Sequence, residues 1–257
     1  MYYKFLDAAD IDKVLIDGTI IISSLEYFRG LEEKEWADIG DPLDGASELT
    51  VNGEFIVTEG SQKLEMINKS VEALGLFQGK FAHVSGGGKI DMSGARFVPL
   101  VPRLFIYSVT IGNIDELTTR MCVKAKRPYN ACLRIADLEG LQRKIFECGR
   151  VRNLNRSVSE IFMPGLIRPV EYEPRSRDVR QGLPIIEPSP FKKAEKFRGQ
   201  SELRVLFVPK EGVAIPEERL IIEISKPNAF FTEMFRNYQP NKAYGDVSGL
   251  TLLANPA

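Results

Sequence analysis

The stretch Phe191–Phe207, FKKAEKFRGQSELRVLF, restricts the possible folds more than any other. From Glu202 onward its residues follow the two-residue period of a strand. Leu203, Val205 and Phe207 form an apolar face, and Glu202, Arg204 and Leu206 form the other. The apolar face needs a core. The opposite face begins with a carboxylate and a guanidinium, which suits a buried strand carrying a functional group at its N-terminal end, or a salt-bridged strand at a sheet edge. A basic, aromatic-bounded loop through Arg198-Gly199 precedes it and leaves Gln200 two residues ahead of Glu202.

The rest of the chain supplies strands more often than long helices. Tyr2–Leu6 and the β-branched run Thr19–Ser24 read as strands. Between them a helix is expected through Asp17, capped by Asp7 or Asp10 and stopped by Gly18. Leu25–Arg29 then leaves the second strand toward a polar stretch ending IGDPLDGAS. Glu48–Val57 predicts a hairpin, because Asn52-Gly53 between apolar arms is a type I′ turn signal. Ser61–Leu74 has helical spacing with Ser61 as the cap. Phe81–Val84 is a further possible strand, and Gly86-Gly87-Gly88 reads as a turn rather than a phosphate cradle.

Arg103–Ile111 and Asn130–Ala136 predict core strands, with a short helix near Asp115–Met121 between them. Asp137 caps a helix that ends at Gly149. Ile167–Tyr172, interrupted by Pro169, reads as an edge strand, and Pro174–Pro190 as a long loop. Arg219–Ile224 is another strand, and the C-terminal tail reads as irregular. The order gives an α+β class, with mixed, largely antiparallel sheets and flanking helices. A length of 257 residues fits one domain, 1–257, with insertions.

Composition narrows the chemistry. With a single histidine, His83, multi-histidine zinc sites and HExxH chemistry are absent from the sequence. Cys122, Cys132 and Cys148 form no CxxC pair, which fits a reducing cytosol. No signal peptide or membrane-spanning apolar run is read, so a cytoplasmic location without membrane contact is expected. Charge is uneven: residues 1–70 hold 15 acidic and 6 basic side chains, whereas residues 120–198 hold 18 basic and 9 acidic. Either these segments pack together or the later one faces a polyanion.

Several short motifs carry a resemblance. Y-K-F, G-x-I-I-x-S, L-x-Y-F-R and I-G-D-P-x-x-G come first, followed by F-I-Y-S-V-T, A-C-L-R-I-A-D, V-E-Y and F-K-K-x-x-x-F-x-x-Q-x-E-L-R. Together they resemble a bacterial family associated with phage-defence and toxin loci, which in turn resembles the ADP-ribosyltransferase superfold. The resemblance implies NAD as substrate and a macromolecular acceptor, nucleic acid or protein. It implies Glu202 as the catalytic carboxylate and Gln200 as the residue facing the acceptor. Lys4 takes the place of an Arg or His beside the NAD phosphates or ribose, without the guanidinium fork. Ser23 or Ser24 takes the polar second-strand position, Tyr27 and Phe28 stack on nicotinamide, and Arg29 pairs with a phosphate. Tyr27 and Phe28 are also readable as core packing, and Asp41 and Asp44 as a polar turn.

The chemistry asks for a fixed carboxylate facing the positive charge that builds on the sugar as the nicotinamide–ribose bond breaks. Two other readings stay open. One is a non-catalytic interaction or sensor module on the same fold. The other is a metal-dependent nucleic-acid-processing enzyme drawing on Asp38, Asp41 and Asp44.

Overall fold

The computed structural model describes residues 1–31, 44–45, 48–73, 88–97, 103–174, 176–178 and 189–239. The chain starts with strand β1 (Tyr2–Leu6), a 3-10 turn and helix α1 (Ile11–Leu15). Neither Asp7 nor Asp10 caps the helix through its side chain. Gly18, at φ +66°, turns the chain into β2 (Thr19–Ser24). The exit from β2 through Leu25–Arg29 is helix α2 (Leu25–Leu31), which starts without a linker. Ser24 makes that possible, because its Oγ accepts the Tyr27 N–H at 3.1 Å and satisfies one of the helix's unpaired first-turn donors.

The next segment overturns an expectation. Strands β3 (Glu48–Thr50) and β4 (Ile56–Thr58) do not form a hairpin. A type I′ turn needs positive φ at both central residues, and only Gly53 has it. Helix α3 (Gln62–Ala73) follows, with Ser61 Oγ accepting the Leu64 N–H. Then come β5 (Lys89–Asp91) and β6 (Arg96–Phe97). β4 pairs with β5 and β3 with β6. Val51, Phe55, Val57, Leu64, Ile67 and Met92 close a small core between these elements.

The main sheet is built from later strands. β7 (Phe105–Ile111) leads to α4 (Ile114–Thr118) and a π-helical turn, Thr119–Lys124. β8 (Ala131–Ile135) precedes α5 (Leu138–Cys148), capped by Asp137 through the Gly140 N–H. The short β9 (Arg150–Val151), β10 (Arg156–Ser157) and α6 (Val158–Ile161) lead to β11 (Phe162–Pro169). β12 (Glu171–Glu173) follows, and the segment expected as one long loop, Pro174–Pro190, contains β13 (Ser176–Asp178). β14 (Lys192–Ala194) and a 3-10 turn, Glu195–Gln200, then deliver β15 (Glu202–Pro209). β16 (Arg219–Glu223) follows, and the tail expected to be irregular contains β17 (Phe231–Phe235), paired with β8.

The class is α+β with largely antiparallel sheets. The principal sheet has ten strands, ordered β10-β9-β16-β2-β7-β1-β8-β17, with β15 and β11 branching from β7. β15 pairs on both sides, with β7 and β11, so Glu202 and Arg204 are not on a sheet edge. β11 lies at the edge beyond β15, as Pro169 suggested, but Glu171 and Tyr172, expected in the same strand, belong to β12, which pairs with β14. One face of the sheet packs Ile22, Phe105, Tyr107, Val205 and Phe207 against α5 through Leu141 and Ile145. Fully burying a Phe such as Phe207 stabilises by about 1.5–3 kcal/mol. Among the described residues, no helix is long and apolar enough to cross a membrane. His83, Phe81–Val84, Gly86-Gly87, Asp38 and Asp41 lie outside the described residues.

A forked strand pairing locates the cleft. β2 and β1 share one edge of β7, with β2 at Phe105 and Ile106 and β1 at Thr110 and Ile111. Neither covers Ser108 between them.

Candidate functional site

The cleft lies where β1 and β2 separate and has a volume of about 220 Å³. Sheet alternation puts Ile106, Ser108 and Thr110 of β7 into its floor, opposite the core-facing Phe105, Tyr107 and Val109. Lys4 extends from β1, and its Nζ donates to the Ser108 carbonyl at 2.7 Å, satisfying an acceptor that the fork leaves without a strand partner. The same ammonium lies 4.7 Å from the Tyr107 ring centroid. Burial pulls Lys4 down to about 8, against a smaller opposing effect from Glu202.

Glu202 is the carboxylate of the floor, only 7% exposed. Its Oε1 accepts from Ser108 Oγ at 2.5 Å and from Arg204 Nε at 2.7 Å. Its Oε2 accepts from Lys193 Nζ at 3.2 Å and Arg204 Nη2 at 3.3 Å. Burial opposes the charge, but Arg204 and Lys193, with hydrogen bonds from Arg204 and Ser108, hold the carboxyl well below the usual range. Glu202 is therefore ionised and fixed.

Behind it, Arg204 is fully buried and grips Asp44 with a two-pronged contact, Nη1–Oδ1 at 2.7 Å and Nη2–Oδ2 at 2.9 Å. Lys193 also reaches Gln200 Oε1 at 2.8 Å, so one ammonium ties Gln200 to Glu202. Ser201 between them takes the left-handed conformation, φ 45°, uncommon outside glycine, and turns the 3-10 segment into β15. Tyr172 Oη accepts the Glu202 N–H at 2.8 Å, and burial pushes its hydroxyl up to about 12.

The walls are aromatic and basic. Tyr27, Phe28 and Leu31 of α2 form one side, and Met121 and Tyr129 another. The Tyr27 and Phe28 rings meet edge to face, 5.6 Å between centroids. Arg219 of β16, in register with Ser23 on β2, lies 5.0 Å from the Tyr27 ring centroid. Burial pushes the Tyr129 hydroxyl to about 12.

Of the residues singled out in the sequence, Lys4, Ser23, Tyr27, Phe28, Gln200 and Glu202 line this one cleft. Ser24 and Arg29 lie outside its lining. Ser24 is buried and caps α2, so its hydroxyl is committed to the backbone. Arg29 donates from Nε and Nη2 to the Asp44 carbonyl at 2.8 and 2.7 Å, which holds the turn that presents Asp44 to Arg204. Asp44 sits in a turn and is also a buried counter-ion, with both its carboxylate oxygens engaged by Arg204. No group of His, Cys, Asp or Glu among the described residues is placed to hold a metal ion.

Sequence reasoning missed Ser108, Lys193, Tyr129 and Arg219. Ser108 carried a signal, as the hydroxyl at the centre of the apolar run FIYSVTI. Lys193, in FKK, had none beyond its charge. Fixed carboxylate, adjacent amide, cationic rim and aromatic walls are suited to a sugar-bearing anionic ligand with a planar ring. No family model, no curated protein and no solved structure matches the chain.

Proposed function

We propose that the chain is an NAD-dependent ADP-ribosyltransferase acting on a macromolecule, with Glu202 as the catalytic carboxylate. The observation carrying this reading is an ionised Glu202, locked by Ser108, Lys193 and Arg204 on the floor of a cleft also lined by Gln200, Lys4, Tyr27 and Phe28. Whole-ligand pockets typically run to about 300–1,000 Å³, so a cleft of about 220 Å³ suits the nicotinamide–ribose end of the dinucleotide rather than all of it.

In this reading Tyr27 and Phe28 flank the nicotinamide, while Lys4 and Arg219 neutralise phosphate charge as point charge and guanidinium. The acceptor's nucleophile bonds to ribose C1′ while the glycosidic C–N bond breaks. Nicotinamide departs neutral with the bonding pair, and the acceptor's proton passes to solvent. Glu202 faces the positive charge that develops on the ring, so it stabilises the transition state more than the ground state. The superfold likeness and a setting in bacterial conflict come from the sequence motifs.

Nicotinamide release from NAD, with cell extract as acceptor pool, tests the proposal. Wild type should release it, and Glu202→Gln should be slower by about 100-fold or more. Background release from folded wild type, or equal release from the variant, overturns it. A second reading rests on one specific observation: Ser108, Lys193 and Arg204 already take up the lone-pair positions of Glu202. Glu202 is then an anchor and the cleft a binding site without turnover. NAD binding by calorimetry with no nicotinamide release would favour it.

A further inference from the structure

Two lysines line the cleft, and they are held differently. Lys193 on β14 pairs with Glu202 at 3.2 Å and donates to Gln200 at 2.8 Å. Lys4 has no carboxylate within ion-pair distance among the described residues, and its Nζ makes one hydrogen bond there, to the Ser108 carbonyl at 2.7 Å. The strand geometry sets this difference. β1 pairs with β7 only at Tyr2 and Tyr3, while its pairing with β8 runs on to Leu6. Lys4 is therefore the first residue beyond the point where β1 leaves β7 and the cleft opens.

A neutral amine has two N–H donors and one lone pair. The bond to Ser108 uses a donor and leaves the lone pair for a carbonyl carbon in the cleft. Burial, against the opposing pull of Glu202, brings Lys4 down to about 8. At about pH 7 its neutral fraction is about 200-fold that of an ordinary lysine, and the neutral amine is the form that makes imines. Glu202, Lys193, Arg219, Tyr27 and Tyr129 share the cleft with it, and the Tyr107 ring centroid lies 4.7 Å from its Nζ. Of these, Arg219 is exposed, lies against the Tyr27 ring and has no acidic partner among the described residues. Its guanidinium fork is open to a phosphate.

We propose that the cleft captures a phosphorylated aldehyde as a covalent imine on Lys4, with Arg219 holding the phosphate. The Nζ lone pair bonds to the carbonyl carbon, and the two amine protons leave with the carbonyl oxygen as water. No oxidant, reductant or second substrate is consumed. The volume of about 220 Å³ takes one end of a dinucleotide but the whole of a small phosphorylated aldehyde. The capture does not depend on the transferase reading. Under that reading Lys4 also meets NAD, so the imine closes the site to the dinucleotide.

Pyridoxal 5′-phosphate, an aldehyde with a planar ring and a phosphate, is the probe. Borohydride reduction fixes the imine as a secondary amine, and peptide mass spectrometry locates it. Wild type should carry the label at Lys4 ahead of every exposed lysine, and the labelling rate should rise with pH through a midpoint of about 8. Lys4→Met should lose that label, and the wild-type map decides the attachment point even where this variant does not fold. Arg219→Gln, at an exposed position, should need at least about tenfold more probe for half-labelling. Unphosphorylated pyridoxal should label wild type and Arg219→Gln alike. Circular dichroism checks that both variants fold. Label spread evenly over exposed lysines such as Lys13 and Lys69, or a midpoint of about 10 or higher, overturns the capture. Equal half-labelling by pyridoxal and its phosphate overturns the part given to Arg219. Protection of Lys4 by excess NAD upholds the capture together with the transferase reading. Label at Lys4 that NAD leaves unchanged upholds the capture and counts against NAD in this cleft.

Discussion

Arg204→Met removes the group that joins Asp44 to Glu202. The guanidinium is fully buried and donates to Asp44 Oδ1 at 2.7 Å and Oδ2 at 2.9 Å, to Glu202 Oε1 at 2.7 Å, and to the Pro190 carbonyl at 2.5 Å. Methionine is of comparable length and donates nothing. Glu202 keeps Ser108 and Lys193, but among the described residues Asp44 is left with Lys193 alone, at 3.9 Å. Breaking a buried ion pair costs about 3–5 kcal/mol, a large share of the ~5–15 kcal/mol that a typical domain holds. Asp44→Asn should cost a comparable amount, because it leaves Arg204 with excess buried charge. The double substitution removes charge at both ends and should cost less than the sum by about 2–3 kcal/mol. Urea denaturation of wild type, both single variants and the double variant at neutral pH measures that coupling. Additivity within about 0.5 kcal/mol would refute the reasoning. A pH series adds an independent sign. In wild type, Glu202 is depressed, so its contribution is present above the ordinary carboxylate pKa and is lost only as pH falls through the lowered value. In Arg204→Met the largest of the charges that hold Glu202 down is gone, so its depression shrinks and acidification should cost the variant less stability than wild type.

Lys4, pulled from 10.5 to about 8, gives a slope at the other end of the pH scale. Between those values the unfolded chain binds a proton that the folded chain does not, so stability rises with pH. Wild type should gain about 2 kcal/mol relative to Lys4→Met between pH 8 and about 9.5, and parallel curves would refute the placement. Ser108→Ala deletes the 2.5 Å bond to Glu202, and nicotinamide release should fall at least about tenfold in kcat with KM little changed. A change in KM alone would make Ser108 a binding group. Gly18→Ala should destabilise by about 2 kcal/mol or more in thermal or urea unfolding, because its Cβ would lie 2.0 Å from the Ile224 carbonyl oxygen at φ +66°. A loss under about 0.5 kcal/mol would show that the turn gives way freely.

Strands with strict alternation or β-branched runs were legible from sequence. Thr19–Ser24 has the bounds its TIIISS run suggested, and the two faces of Glu202–Phe207 are sorted as their alternation required. Local turn chemistry misled where tertiary pairing decided the outcome. Asn52-Gly53 carries a hairpin signal, yet β3 finds better partners in β6 and β13. Phe231–Phe235 has little local strand pattern and is a strand because β8 offers it an edge. The site divides in the same way. Glu202 and Gln200 stood out because a charge and an amide open an apolar strand. Lys193 did not, and Asp44 stood out only as a polar-turn residue or a metal-ligand candidate, because their roles depend on contacts with Arg204 and Glu202 that no local pattern encodes. Arg29 looked like a phosphate ligand from sequence, and only the position of Asp44 gives its fork another acceptor.

The fork between β1 and β2 has a consequence for how the protein is made. Lys4 comes from the first strand, Ser108 lies 94 residues before Glu202 in sequence, and Asp44 lies 160 residues before Arg204. Arg219, on the far rim, comes later still, on a strand that pairs with β2. Contacts this distant along the chain close late in folding, after the local hairpins and helices. A ribosome adding residues in order has displayed Lys4, Tyr27 and Ser108 long before Glu202 exists to meet them. Whatever the cleft does is therefore withheld from the nascent chain, and a truncated product ending before β15 carries its aromatic walls and Lys4 but not its carboxylate.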